Sequence, residues 1–138
     1  MRILTLALFV SIDVVLFACC GGVAQKSSEA NGIEQAFKQH KSGVQVEDEG
    51  EITRLLSDDT AGIVHQRFIV RSSSGQTVLL EYNTDVSPRI EDLKVGETVD
   101  FAGEYIWNEQ GGIVHWTHHD PGGRHEPGWL KHNGRTYQ

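Results

Sequence analysis

The chain has 138 residues and a formal net charge of −7, with 12 basic and 19 acidic side chains. This length corresponds to a single domain. The acidic balance disfavours nucleic acid as a partner, because phosphate contacts depend on clustered basic side chains. Both cysteines, Cys19 and Cys20, lie near the amino terminus, so the remaining chain can hold no disulfide and no thiolate metal site.

The first 18 residues, MRILTLALFVSIDVVLFA, join a basic residue to a short apolar run and end in small residues. This pattern indicates a secretory signal peptide. Residues 16–19, LFAC, resemble the bacterial lipobox, which makes Cys19 the predicted lipid attachment site. Cys20, in place of an aspartate, directs a Gram-negative lipoprotein to the periplasmic side of the outer membrane. The alternative is ordinary cleavage after Ala24, which gives a soluble periplasmic or secreted protein.

Composition divides the rest of the chain into three segments. Residues 19–31 are small and polar and are interpreted as a flexible tether. Residues 32–43 have the composition of a short helix that begins after Asn31 and is capped at Gly43. From residue 44 onward apolar and polar side chains alternate, which is typical of strands, so residues 44–138 are predicted to form one β domain.

Five strands are predicted in this domain. The first is long, residues 44–56, and has Gly50 at a bend, and the others are predicted at 65–72, 76–83, 97–107 and 113–119. Five strands with a connector between the third and the fourth are typical of the Greek-key OB-fold barrel. A β-sandwich is the competing arrangement, but it normally needs seven strands or more. We therefore predict an all-β, five-stranded OB-like Greek-key barrel with an N-terminal short helix and a C-terminal β-hairpin.

The hairpin is predicted from WLKHNGRTYQ, because Asn-Gly at 133–134 is the strongest short hairpin signal. A two-residue turn pairs His132 with Arg135 and Leu130 with Tyr137. The apolar pair can pack against the barrel, so we expect an ordered C-terminus.

Residues 115–125, HWTHHDPGGRH, place four histidines and an aspartate around a Pro-Gly-Gly turn. The turn is expected to fold His125 back towards the end of the fifth strand. Imidazole and carboxylate groups bind transition metals such as Zn, Ni, Cu or Fe. The candidate metal ligands are His118, His119, Asp120 and His125.

A structural interpretation of the same segment competes with the metal site. Arg124 can pair with Asp120, and His118 can donate to a backbone carbonyl, so that the polar groups at the strand end satisfy one another.

The tryptophans and neighbouring polar residues suggest a second kind of site. Strand alternation predicts Trp116 on the buried face, with Trp107 also in the core, and leaves Trp129 as the exposed tryptophan. OB-folds use exposed aromatic rings to stack on ligands. Trp129, Arg124 and His132 are therefore the candidate ligand-binding residues.

Four segments carry a family resemblance: HQRF at 65–68, GEYIWNEQGG at 103–112, HWTHHDPGGRHEPGW at 115–129 and the final NGRTYQ. They resemble an uncharacterised bacterial family, domain of unknown function 3465, over most of residues 44–138. The resemblance implies a small exported bacterial protein. It implies no catalytic residue, because no activity is established for the family.

Three functions compete. The first is an exported, lipid-anchored, OB-fold-like binding module for a small molecule, a glycan or an envelope protein. The second is a divalent-metal-dependent hydrolase of the nuclease or phosphodiesterase type, and the third is a structural envelope lipoprotein. Hydrolysis needs an activated water and a general base, and only Glu126 adds a carboxylate close to Asp120 in sequence. We therefore favour the noncatalytic binding module.

Overall fold

The computed structural model describes residues 32–138. They form one helix and seven strands: α1 Gly32–Lys38, β1 Val44–Leu55, β2 His65–Ser72, β3 Thr77–Asn83, β4 Thr98–Ile106, β5 Ile113–His115, β6 Trp129–His132 and β7 Arg135–Tyr137. Within this part of the chain, no helix is both long and apolar enough to cross a membrane. The predicted signal peptide, the tether and the lipid attachment site Cys19 lie outside the described residues.

Strands β1 to β5 close into the predicted OB-like barrel. Their order is β1-β2-β3-β5-β4, and β4 pairs back onto β1. Neighbouring strands are antiparallel except β3 and β5, which are parallel. Closure leaves no exposed strand edge within the barrel, and this arrangement confirms the predicted all-β fold class.

The bend at Gly50 allows the barrel to close. Strand β1 pairs with β4 through residues 44–51 and with β2 through residues 50–55. A Cβ at Gly50 would lie 2.9 Å from the carbonyl oxygen of Arg71 and 3.0 Å from Cβ of Val70. A side chain at this position would push β1 away from β2, so only glycine permits the close approach.

The core lies inside the barrel, because every second residue of each strand points inward. The largest fully buried side chains on the strands are Ile52, Phe68, Leu80, Tyr82, Phe101, Tyr105 and Leu130. Helix α1 contributes Ile33 and Ala36 to the same core. Burying such side chains supplies about 1.5–3 kcal/mol each.

Helix α1 ends earlier than the predicted residue 43. His40 takes a positive φ of 53°. The N–H of His40 donates to the Phe37 carbonyl at 3.1 Å, and the N–H of Lys41 donates to the Ala36 carbonyl at 2.9 Å. These bonds form a Schellman cap, so the helix stops at Lys38, and Gly43 lies beyond the cap.

Strands β5 and β6 lie end to end along the same edge of β4. His115 of β5 lies opposite Glu104, and Trp129 of β6 lies opposite Ala102. The intervening residues 116–128, hereafter the 116–128 loop, therefore leave and rejoin β4 at nearly one point. The predicted fifth strand ends at His115 instead of residue 119, because Trp116 has a positive φ of 53° that turns the chain outward.

The C-terminal hairpin has the predicted register. Leu130 pairs with Tyr137 and His132 with Arg135. Tyr137 is buried and meets the ring of Tyr82 edge-on, with centroids 6.5 Å apart. The hairpin therefore extends the sheet beyond β4 and packs onto the barrel core.

Candidate functional site

Backbone contacts close the 116–128 loop at its base. The N–H of Gly128 donates to the His118 carbonyl at 3.0 Å. A Cβ at Gly128 would lie 2.1 Å from the carbonyl oxygen of Trp116 and 2.5 Å from that of Ala102. Glycine is therefore required where the chain returns to β4, and the return holds both ends of the loop together.

Asp120 organises the outer part of the loop. Its carbonyl accepts the N–H of Gly123 at 3.0 Å, which closes the predicted Pro-Gly turn. Its buried carboxylate accepts from the backbone N–H groups of Gly122 and Arg124 and from two nitrogens of the Arg124 guanidinium. The guanidinium and these N–H groups hold the pKa of the Asp120 carboxyl well below its usual range. The carboxylate is thus occupied within the loop, as the structural interpretation predicts.

The predicted return of His125 towards the end of the fifth strand is confirmed. Its ring stacks on the Trp116 indole, with centroids 4.3 Å apart and planes at 26°. The same ring meets that of His118 edge-on, with centroids 5.0 Å apart. The ring of His115, the last residue of β5, lies 5.0 Å from the Trp116 ring. These four residues form what we call the imidazole–indole cluster.

Backbone carbonyls set the proton positions of two imidazoles. Nδ1 of His118 donates to the His119 carbonyl at 2.9 Å, and Nδ1 of His125 donates to the Glu126 carbonyl at 2.8 Å. Because a carbonyl oxygen only accepts, each neutral ring carries its proton on Nδ1 and a lone pair on Nε2. Among residues 32–138, neither Nε2 has a hydrogen-bond partner, and that of His125 is buried, 3.8 Å from Oδ2 of Asp120.

His115 lies on the outer surface of the barrel beside two carboxylates. Its Nε2 is 3.5 Å from Oε1 of Glu104, on the facing strand, and makes no hydrogen bond in the described part of the chain. Burial lowers the pKa of His115, and the charges of Glu104 and Glu81 offset only part of that effect. His115 is therefore a neutral base near neutral pH.

A cleft of about 190 Å³ opens beside the cluster, and we call it the histidine cleft. It lies between the start of β2, the end of β3 and the 116–128 loop, and it is lined by Ile63, His65, Glu81, Asn83, His115, Trp116 and His118. Trp116 is 37% exposed, so its predicted burial is wrong. The positive φ at this residue ends the strand alternation on which that prediction depended.

The Glu81 carboxylate in this cleft has no hydrogen bond or ion pair within residues 32–138. Its cross-strand neighbour Arg67 instead donates to the Ser57 carbonyl from Nε at 3.1 Å and from Nη2 at 3.0 Å. The cleft therefore contains a carboxylate without a direct ion pair next to an exposed indole.

Comparison with known proteins identifies the family. A family model described as "Protein of unknown function (DUF3465)" matches residues 14–138. The chain belongs to the DUF3465 family. This match confirms the resemblance carried by the four sequence segments. Comparison with curated proteins and with solved structures finds no match.

The four predicted metal ligands of this DUF3465 chain do not converge on one point. His118 and His125 lie close together, but His119 is exposed and Asp120 is bound by Arg124. Across residues 32–138, no three His, Cys, Asp or Glu side chains are grouped so that they could hold a metal ion. Binding a metal through the predicted set would require the 116–128 loop to rearrange.

The predicted ligand-binding residues of the DUF3465 chain lie outside the lining of the histidine cleft. Trp129 is half-buried in β6, and Arg124 is paired with Asp120. His132 is buried, and its Nε2 is 2.8 Å from Oε2 of Glu97. The hydrogen bond to His132 lowers the pKa of Glu97, so this pair ties the hairpin to the turn before β4.

Sequence reasoning missed Glu81 and Asn83 as parts of the site. Both follow the alternation of β3 onto its outer face, and Asn83 pairs with His65 in the β2–β3 hairpin. That register could be read from the short turn at residues 73–75. The proximity of β3 to His115 could not, because it depends on the parallel pairing of β3 with β5.

Proposed function

We propose that this protein is an exported, lipid-anchored binding module that takes a small ligand into the histidine cleft. One observation carries the proposal. His118 is only 5% exposed and lines the cleft, and its Nε2 has no hydrogen-bond partner within residues 32–138. An acceptor that lines a cleft beside an exposed indole and has no protein partner favours a ligand that supplies the partner.

The position of the cleft supports the same function. OB-fold barrels bind their ligands over strands β2 and β3 and the adjoining loops. The histidine cleft lies at the ends of these two strands and under the 116–128 loop.

In a second, larger cavity of about 320 Å³, the lining amide and both lining arginines bind other parts of the chain. Its Gln66 side chain exchanges two hydrogen bonds with the backbone of Ile90. Its arginines are also engaged, Arg89 with Asp58 and Arg67 with a backbone carbonyl. These groups hold the connector between β3 and β4 against the barrel, so this cavity serves the fold.

The anchor is tested separately from the ligand. The lipobox-like residues 16–19 support acylation of Cys19. We expect the wild-type protein in the membrane fraction and the Cys19→Ser variant in the soluble fraction after cell lysis. A wild-type protein that is already soluble would support ordinary cleavage after Ala24 instead.

The two other functions, a metal-dependent hydrolase and a structural lipoprotein, are alternatives that the following experiments test. A hydrolase would turn over generic phosphodiester or nucleic-acid substrates with added Zn, Ni, Cu or Fe and lose that activity in the His125→Ala variant. A structural lipoprotein would show neither turnover nor a small-molecule ligand. Nucleic-acid binding is not expected, because the chain has a net charge of −7.

The binding function is tested by NMR titration of the full-length protein with a library of small polar metabolites. We expect at least one compound to shift the NMR signals of the Trp116 indole N–H and of the His115 ring. Trp116→Ala should weaken the binding of that compound by about tenfold. Val95→Ala, which truncates an exposed apolar side chain elsewhere, is the control and should bind normally. A library in which no compound shifts cleft signals would overturn the proposal.

A further inference from the structure

The polar groups of the histidine cleft call for a ligand that donates hydrogen bonds. The Nε2 lone pair of His118 and the Glu81 carboxylate are acceptors without a partner in the described part of the chain. The side-chain oxygen of Asn83 is already used, because it accepts the backbone N–H of Asp85 at 2.9 Å. A ligand seated against His118 and Glu81 must therefore supply N–H or O–H groups.

The cleft also carries negative charge. Glu81 lines it, and Glu104 lies next to His115, with 3.5 Å between the Glu104 oxygen and Nε2. Arg67, opposite Glu81 on β2, donates to a backbone carbonyl and makes no ion pair with Glu81. A cation entering the cleft therefore meets a carboxylate that has no direct ion-pair partner within residues 32–138.

The exposed part of Trp116 adds an apolar and electron-rich wall. His125 covers one face of the indole, and the His115 ring lies 5.0 Å from it at a 35° tilt, so the exposed part of the indole forms a wall of the cleft together with Ile63, which is 54% exposed. An electron-rich indole beside a carboxylate attracts an organic cation and packs on the apolar part of that cation. A bare metal ion would bind this cleft less favourably, because no group of three ligating side chains is present in residues 32–138.

We propose that the histidine cleft binds a small protonated amine. The ammonium N–H groups donate to His118 Nε2 and to the Glu81 carboxylate, and the carbon chain packs on Trp116. The proposal rests on the proposed binding function and specifies the chemical class of its ligand. A cleft of about 190 Å³ accommodates an amine of a few carbon atoms.

The test compares cadaverine with pentanediol, which has the same carbon chain but no charge, in NMR titrations of the full-length protein at low salt. We expect cadaverine to shift the signals of Trp116 and His115 and to bind about tenfold more tightly than pentanediol. Glu81→Gln should weaken the binding of cadaverine by about fivefold and that of pentanediol by clearly less, because it removes the charge and keeps the shape. Glu109→Gln is the control, because Glu109 is exposed and lies in the loop before β5. It should change neither affinity.

The other possible results overturn the amine proposal, and they show whether the binding function fails with it. If cadaverine binds no better than pentanediol while another metabolite shifts the cleft signals, the amine is wrong and the binding function stands. The same holds if Zn²⁺ shifts these signals and cadaverine does not. If no compound shifts them, both the amine and the binding function are wrong. Binding of cadaverine that Glu81→Gln leaves unchanged would place the amine outside this cleft.

Discussion

The imidazole of His125 lies flat on the indole of Trp116, with ring centroids 4.3 Å apart. These residues stand near the two ends of the 116–128 loop, so their stacking closes the loop on itself. The His125 side chain is only 7% exposed beneath this cover, whereas Trp116 remains accessible. The stack thus makes the loop a firm wall of the histidine cleft.

Gly128 is predicted to be indispensable for this closure. Gly128→Ala should destabilise the protein by about 2 kcal/mol, because the new methyl group would collide with two backbone carbonyls. Its Cβ would lie 2.1 Å from the Trp116 oxygen. The matched variant Gly122→Ala should destabilise the protein much less. The atoms nearest to its Cβ, at 3.2 Å, belong to the side chains of Arg124 and Asp120. Equal urea-unfolding midpoints for the two variants would contradict the prediction.

Asp120 is predicted to make stability depend on acid. The Arg124 guanidinium lowers the pKa of the folded carboxyl, so its contribution is fully present above the unfolded pKa of about 3.9. The contribution is lost as the pH falls below that value towards the lower folded pKa. In urea unfolding between about pH 6 and about pH 2, the free energy of unfolding should decrease less steeply with falling pH for Asp120→Asn than for wild type. Glu109→Gln is the control, and an Asp120→Asn slope as steep as that of wild type would contradict the prediction.

His115 is predicted to titrate below the ordinary histidine pKa. Burial is the main cause, and the Glu104 carboxylate opposes it by favouring the charged ring. Glu104→Gln should therefore lower the pKa of His115 further, and by more than Glu81→Gln does. An NMR titration of the His115 ring protons measures both shifts. A higher pKa in Glu104→Gln would show that the carboxylate does not act on this ring.

The hairpin is predicted to stabilise the barrel through the ring of Tyr137 and not through its hydroxyl. Tyr137 is 6% exposed and meets Tyr82 edge-on. Tyr137→Ala should cost about 3 kcal/mol, because it removes a buried ring and leaves a cavity. Tyr137→Phe should cost well under 1 kcal/mol if the ring alone matters. Denaturant unfolding distinguishes these outcomes, and a large loss in the Phe variant would assign the stability to the hydroxyl.

Much of the site's framework was predictable because it depends on short-range rules. The Asn-Gly turn at 133–134 determines the hairpin register, and the Pro-Gly turn after Asp120 determines that His125 folds back. These outcomes follow from local backbone preferences and need no knowledge of distant strands. The exposure of Trp116 was not predictable in this way, since alternation assumed that the strand continued past His115.

The amino-acid sequence by itself determined the order of the strands along the chain, the bend at Gly50 and the two tight turns, because each depends on the φ preferences and polarity of neighbouring residues. Only the tertiary structure decided which side chains meet at the site. The parallel pairing of β3 with β5 brings Glu81 near His115, and the return of Gly128 against β4 places it beside the Trp116 carbonyl. Both are contacts between segments far apart in the chain, and no local preference encodes them.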